Sequence, residues 1–89
     1  MYQIIRFSDA CRALNKSRGS IYRDIKNRLL PPPFSLGQRS VGWPESEILL
    51  IQTARIAGKS DAEIRALVQD LITARVSQYE SLSTGVSHD

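Results

Sequence analysis

The sequence predicts a mostly α-helical fold: a winged helix-turn-helix of three core helices and a short β-hairpin, with an added C-terminal helix. Three observations predict it. Two short helical segments follow one another across a very short break at Asn15 to Ser17, the spacing of a helix-turn-helix. Pro31-Pro32-Pro33 then stops helix, and two brief apolar stretches flank Gly37-Gln38-Arg39-Ser40, the pattern of a hairpin. Beyond Pro44, apolar residues return at helical spacing on both sides of Gly58-Lys59.

Met1 to Phe7 reads as an apolar lead-in carrying Ile4, Ile5 and Phe7. Ser8 has the character of an N-cap, with Asp9 favouring the positive helix end. The first helix runs over about Asp9–Leu14 and buries Ala10, Cys11 and Leu14. Asn15 tolerates the left-handed conformation that ends a helix. Ser17 caps a second helix over Arg18–Lys26, which Asn27 closes in the way that Asn15 closes the first. At 100° per residue Ile21 and Ile25 share its buried edge. Phe34, Leu36, Val41 and Trp43 alternate in the hairpin, so one face packs inward with Trp43 as core anchor. Pro44 suits the first turn of the third helix, where Glu45 and Glu47 complement the positive end. Ile48-Leu49-Leu50-Ile51 places apolar groups all round that helix, which therefore needs cover on more than one face. Ser60-Asp61-Ala62-Glu63 has the form of a capping box. The fourth helix runs from Asp61 to about Tyr79, ~28 Å at 1.5 Å per residue. These elements divide the chain into a winged helix-turn-helix domain at 1–58, an amphipathic helix at 59–80 and a disordered tail at 81–89. The helix at 59–80 packs on the third helix or mediates a homodimer.

Charge is unevenly spread. Residues 1–43 carry eight basic side chains against Asp9 and Asp24, and residues 44–89 carry four against seven acidic ones, so +6 and −3 make the net +3. The first half is suited to a polyanion and the second is not. Cys11 is alone and His88 is the only histidine. That rules out an internal disulfide and leaves neither a Cys–His pair nor a metal-ligand cluster, so neither an enzyme nor a cofactor is expected. No apolar run approaches the ~20 residues of a membrane span and no long signal core begins the chain, so a cytoplasmic protein is expected.

The outward face of the second helix holds Gly19, Ser20, Arg23, Lys26 and Asn27, with Tyr22 on its flank and no carboxylate near the centre. Arg23 sits mid-face and can make a bidentate contact to guanine in the major groove. Ser17 and Ser20, beside the helix N-terminus, can donate to phosphate together with the backbone amides there. Lys16, Lys26 and Arg39 suit phosphate contacts that fix register, and Gln38 and Arg39 occupy the hairpin tip.

The segment Ser17-Arg18-Gly19-Ser20-Ile21-Tyr22-Arg23-Asp24-Ile25-Lys26 resembles the AlpA family of phage-type regulators, itself related to MerR-like winged-helix excisionases. The likeness continues through Pro31 to Pro33, Leu36-Gly37, Val41-Gly42-Trp43 and Glu45-Ser46-Glu47, and spans roughly Ile5 to Gly58. The sequence departs from the family pattern at Asn15 and Gly19, where the family has Gly and often Ser or Thr, and in its richer proline run. The resemblance implies DNA contacts from Arg18, Ser20, Tyr22, Arg23 and Lys26, with Arg39 on the wing. It implies a transcriptional regulator of a prophage or integrated element that binds double-stranded DNA in the bacterial cytoplasm. Two alternatives stand beside it. One is an excisionase, a recombination directionality factor that bends DNA beside an integrase partner. The other is a protein–protein adaptor whose basic face meets an acidic partner.

Overall fold

The computed structural model describes residues 3–86. In chain order the elements are β1 (Ile4–Arg6), α1 (Phe7–Leu14), α2 (Arg18–Lys26), β2 (Phe34–Gly37), β3 (Ser40–Pro44), α3 (Glu45–Ile56) and α4 (Asp61–Val86). Four helices thus surround one small antiparallel sheet of strand order β1-β3-β2, an arrangement compatible with a winged helix.

Within the apolar lead-in, Ile4–Arg6 is a strand. Ile4 pairs with Pro44, Ile5 with Trp43 and Arg6 with Gly42. Nothing local marks a three-residue strand, because its partner lies some forty residues away. This pairing also moves the start of α1. Arg6 is the extended N-cap and makes no side-chain cap hydrogen bond, so the helix begins at Phe7 and Ser8 lies within its first turn instead of capping it. Asp9 is in that turn, as its charge favours.

The helix-turn-helix follows local chemistry closely. Asn15 is left-handed (φ 55°, ψ 47°) and ends α1. The Ser17 hydroxyl accepts from the Ser20 N–H at 3.2 Å and caps α2. Ile21 is fully buried and Ile25 half-buried. The far end of α2 differs from expectation: Asn27 keeps φ −87° and Arg28 takes the left-handed position at φ 62°. The reversal falls one residue later, and Asn27 remains free to offer its carbonyl to Arg65 Nε at 2.9 Å.

The β2–β3 pair turns through Gln38 and Arg39, both at positive φ, as a two-residue hairpin turn of the I′ kind requires. An irregularity between Ser35 and Gly37 breaks the apolar alternation. Phe34 lies opposite Gly42, on the sheet face away from Trp43, and lines a groove with Pro44 and residues of α4 such as Leu71 and Tyr79. One face therefore does not collect Phe34, Leu36, Val41 and Trp43 together. Gly42 is required where it stands: a Cβ there would lie 2.5 Å from the Ile5 carbonyl oxygen. Trp43 is wholly buried and donates from Nε1 to the Pro31 carbonyl at 2.7 Å. That bond fixes the proline run against the core. Pro44 ends β3 and caps α3, and does not form its first turn.

One core joins every layer: Phe7, Ala10, Ile21, Leu30, Trp43, Ile48, Ile51, Ile64 and Val68. Gln52 ties α3 to the end of α1 through the Ala13 carbonyl at 2.7 Å. Gly58 (φ 79°) turns the chain between α3 and α4. The capping box forms in both directions: the Ser60 N–H donates to Glu63 Oε1 at 2.9 Å and the Glu63 N–H to Ser60 Oγ at 3.2 Å. The Ser60 backbone bond first, then its side chain and the charge of Lys59, hold the Glu63 carboxyl below its ordinary range.

α4 is longer than its pattern predicts. It has 26 residues, ~39 Å of helix, and continues to Val86 where the tail was expected from residue 81. No proline and no glycine occurs between Gly58 and Gly85 to stop it. His88 and the rest of the expected tail, 87–89, lie outside the described residues. Ile64 and Val68 enter the core, whereas Val76, Tyr79 and Leu82 are exposed. Midway, Arg75 grips Glu47 of α3 through two bonds of 2.8 and 2.6 Å and donates to the Pro32 carbonyl at 2.9 Å. Glu47 is buried, so its carboxylate is a cross-link between helices as well as a charge at a helix N-terminus. Among the described residues no helix is long and apolar enough to cross a membrane.

Candidate nucleic-acid interface

The outer face of α2 is held in place by aromatic packing. Phe7, buried at the start of α1, stands between Tyr22 (centroids 5.0 Å apart) and Trp43 (5.4 Å). Tyr22 packs its ring on Phe7 and still keeps 56% of its surface exposed. The Arg18 guanidinium lies 4.7 Å from the centre of the Phe7 ring, a cation–π contact that restrains a long side chain at the first position of α2. Arg23, one turn further on, donates to the Ser20 hydroxyl at 3.1 Å and is exposed. A bond to a neutral hydroxyl leaves its full positive charge outward. Lys26 is exposed near the end of the same helix.

Lys16 is placed differently. Its Nζ is 2.6 Å from Asp24 Oδ2, with 37% of the lysine side chain and 17% of the aspartate side chain exposed. Its charge is paired within the helix-turn-helix, unlike those of Arg18, Arg23 and Lys26. Ser17 is exposed and its hydroxyl oxygen accepts the α2 cap bond. Gln38 and Arg39 are exposed at the β2–β3 turn.

Pairing sorts the twelve cations. Five have carboxylate partners: Arg12 with Asp9, Lys16 with Asp24, Arg55 with Asp61, Lys59 with Glu63 and Arg75 with Glu47. Arg65 is bonded to the Asn27 carbonyl. The remaining six are Arg6, Arg18, Arg23, Lys26, Arg28 and Arg39, and none has a carboxylate partner among the described residues. All six come from the first 43 residues, and all are exposed. Acidic side chains have thus been kept away from one set of cations, which retain their charge for an outside anion. Sequence reasoning named four of them and passed over Arg6 and Arg28. Both were visible as charges, but Arg6 sat in an unrecognised strand and Arg28 beyond the expected helix end. Arg6 lines a shallow recess with Leu36, Gly37, Gln38 and Ser40, beside the β2–β3 turn.

Among the described residues no group of three or more His, Cys, Asp or Glu side chains is placed to hold a metal ion. Residues 3–53 match the family model described as prophage CP4-57 regulatory protein (AlpA). The matched span holds β1 to β3, both helices of the helix-turn-helix and most of α3, and it ends before α4. Comparison with curated proteins and with solved structures returned no match.

Proposed function

Because this chain belongs to the AlpA family of prophage regulatory proteins, we propose that it is a sequence-specific, double-stranded DNA-binding transcriptional regulator of a prophage or integrated element. In this reading α2 enters the major groove, and the β2–β3 pair is a wing whose Gln38-Arg39 turn meets the backbone or minor groove. Arg23 reads a base edge, with Ser20 and Tyr22 beside it. Arg18, Lys26 and Arg39 contact phosphates, and Ser17 donates to a phosphate at the start of α2. The division follows from position: a side chain at the centre of a groove-facing helix reaches bases, and those at its ends and on the wing reach the strands on either side.

The observation that carries the proposal is the pairing pattern. Of seven exposed cations without carboxylate partners among the described residues, six lie on α2, at its end, on β1 and on the wing, and the seventh, Arg65, is bonded to the Asn27 carbonyl. An adaptor for an acidic protein would also want positive charge. The aromatic seat that holds Arg18 and orders the outer face of α2 favours a ligand of fixed, repeating geometry.

The test is the salt dependence of duplex binding, measured by fluorescence anisotropy with a labelled duplex. If most of the six cations meet phosphates, log Kobs falls against log[salt] with a slope approaching about −5. Absence of association with any duplex at low ionic strength overturns the proposal.

A further inference from the structure

Three helices of this chain end in the same way. Each has a left-handed residue at its end: Asn15, the cap of α1, at φ 55°, and Arg28 and Gly58, each one residue past its cap, at φ 62° and φ 79°. Its N–H bonds back three residues, and the next N–H bonds back five. For α1 these are Asn15 to Arg12 and Lys16 to Cys11; for α2, Arg28 to Ile25 and Leu29 to Asp24; for α3, Gly58 to Arg55 and Lys59 to Ala54. This is the Schellman ending, in which glycine meets no steric penalty and asparagine is tolerated. Arginine has neither advantage.

The Arg28 side chain supplies no local compensation. It is exposed and makes no hydrogen bond or ion pair among the described residues. A cation near a helix C-terminus favours the dipole, but Lys26 already stands in the last turn of α2. The same combination recurs at Gln38 and Arg39, which are left-handed, exposed and likewise without a side-chain partner. Those two residues form the turn that the proposed function puts against DNA. Long polar side chains held in a costly backbone conformation therefore occur at both places next to the proposed interface, and locally unfavourable choices of this kind gather where a ligand is contacted.

We infer that Arg28 is a phosphate-contacting residue of the same interface, kept at a left-handed position at the expense of stability because its guanidinium extends the contact beyond the end of α2. The inference rests on the DNA-binding reading above. It adds a contact that neither helical periodicity nor the N-terminal polar cluster of α2 indicates.

Arg28→Gly and Arg28→Lys, alongside Arg23→Ala, separate the possibilities. Thermal melting and duplex affinity at 50 and 200 mM salt are measured for each. Arg28→Gly is expected to melt about 4 °C or more above the wild type while binding duplex more weakly. Its deficit is expected to shrink about 3.5-fold between the two salt concentrations, the share of one phosphate contact. Arg28→Lys is expected to keep the wild-type melting point and salt dependence. An Arg28→Gly variant that melts lower, or that binds as tightly as the wild type with the same salt dependence, overturns the inference. If Arg23→Ala weakens binding in that same experiment, DNA recognition by α2 survives without it. A wild type that binds no duplex at low salt overturns both.

Discussion

Lys16 and Arg23 are seven residues apart in one basic segment, yet their surroundings give them opposite parts. Arg23 donates to an uncharged hydroxyl and keeps its charge for solvent or a ligand. Lys16 is spent on Asp24, whose side chain is only 17% exposed. Lys16→Ala leaves a mostly buried carboxylate unpaired, which costs on the order of 1–3 kcal/mol. Urea denaturation is expected to show that loss, while the salt slope of duplex binding stays as in the wild type. A slope reduced by about one, with stability intact, would return Lys16 to the phosphate contacts. The exposed pair Arg12–Asp9 offers a contrast: with side chains 79% and 48% exposed, water screens it and its removal changes little.

Among the elements, α4 adds most to what a helix-turn-helix alone would hold. Ile64 and Val68 enter the core, and Arg75 joins α4 to α3 and to the proline run at once. Arg75→Ala strands Glu47 as a buried, unpaired carboxylate, at a cost of about 3–5 kcal/mol. That is a large part of the ~5–15 kcal/mol that stabilises a typical domain. Replacing both partners with leucine is expected to recover much of the loss, because the buried charge goes with its partner. Urea midpoints of the single and double variants check this; an Arg75→Ala midpoint equal to the wild type would mean that α4 is held by its apolar contacts alone.

The same elements show what was legible beforehand. The bounds and Ser17 cap of α2, the stop at Asn15, the capping box at Ser60 and the burial of Trp43 were all readable. Each depends on neighbours within one turn or on a single dominant side chain. β1 was not, because Ile4 to Arg6 become a strand only by pairing with residues 42–44. Lys16–Asp24 and Glu47–Arg75 were missed for the same reason: each joins residues that sequence spacing alone does not bring together. The irregularity in β2 that turns Phe34 from Trp43's face has no signal in an alternating apolar pattern. Of the proposed interface, the outward face of α2 followed from periodicity, whereas the left-handed backbone of Arg28 is visible only in the structure.

Across the whole molecule, a net charge of +3 conceals a separation. Glu47, Asp61 and Glu63 are engaged by cations of the second half, and Asp9 and Asp24 by cations of the first. Apart from Arg65 on α4, whose partner is the Asn27 carbonyl, the cations without a carboxylate partner among the described residues lie on β1, α2, the loop after it and the β2–β3 turn. Folding leaves those cations outward, on a frame whose core fixes α2 against the sheet through Phe7, Tyr22 and Trp43. In the proposed function such a frame would bind any duplex through phosphates, and would become selective only if the middle of α2 reads bases.

Arg23 decides that point. Duplexes selected by the protein from a random pool supply a preferred sequence, and Arg23→Ala is then titrated against it and against random DNA. A base-reading guanidinium predicts a loss of about 5- to 150-fold on the selected duplex and a far smaller one on random DNA. Equal losses on the two would show that Arg23 only adds charge, and would remove α2 as the element that recognises sequence.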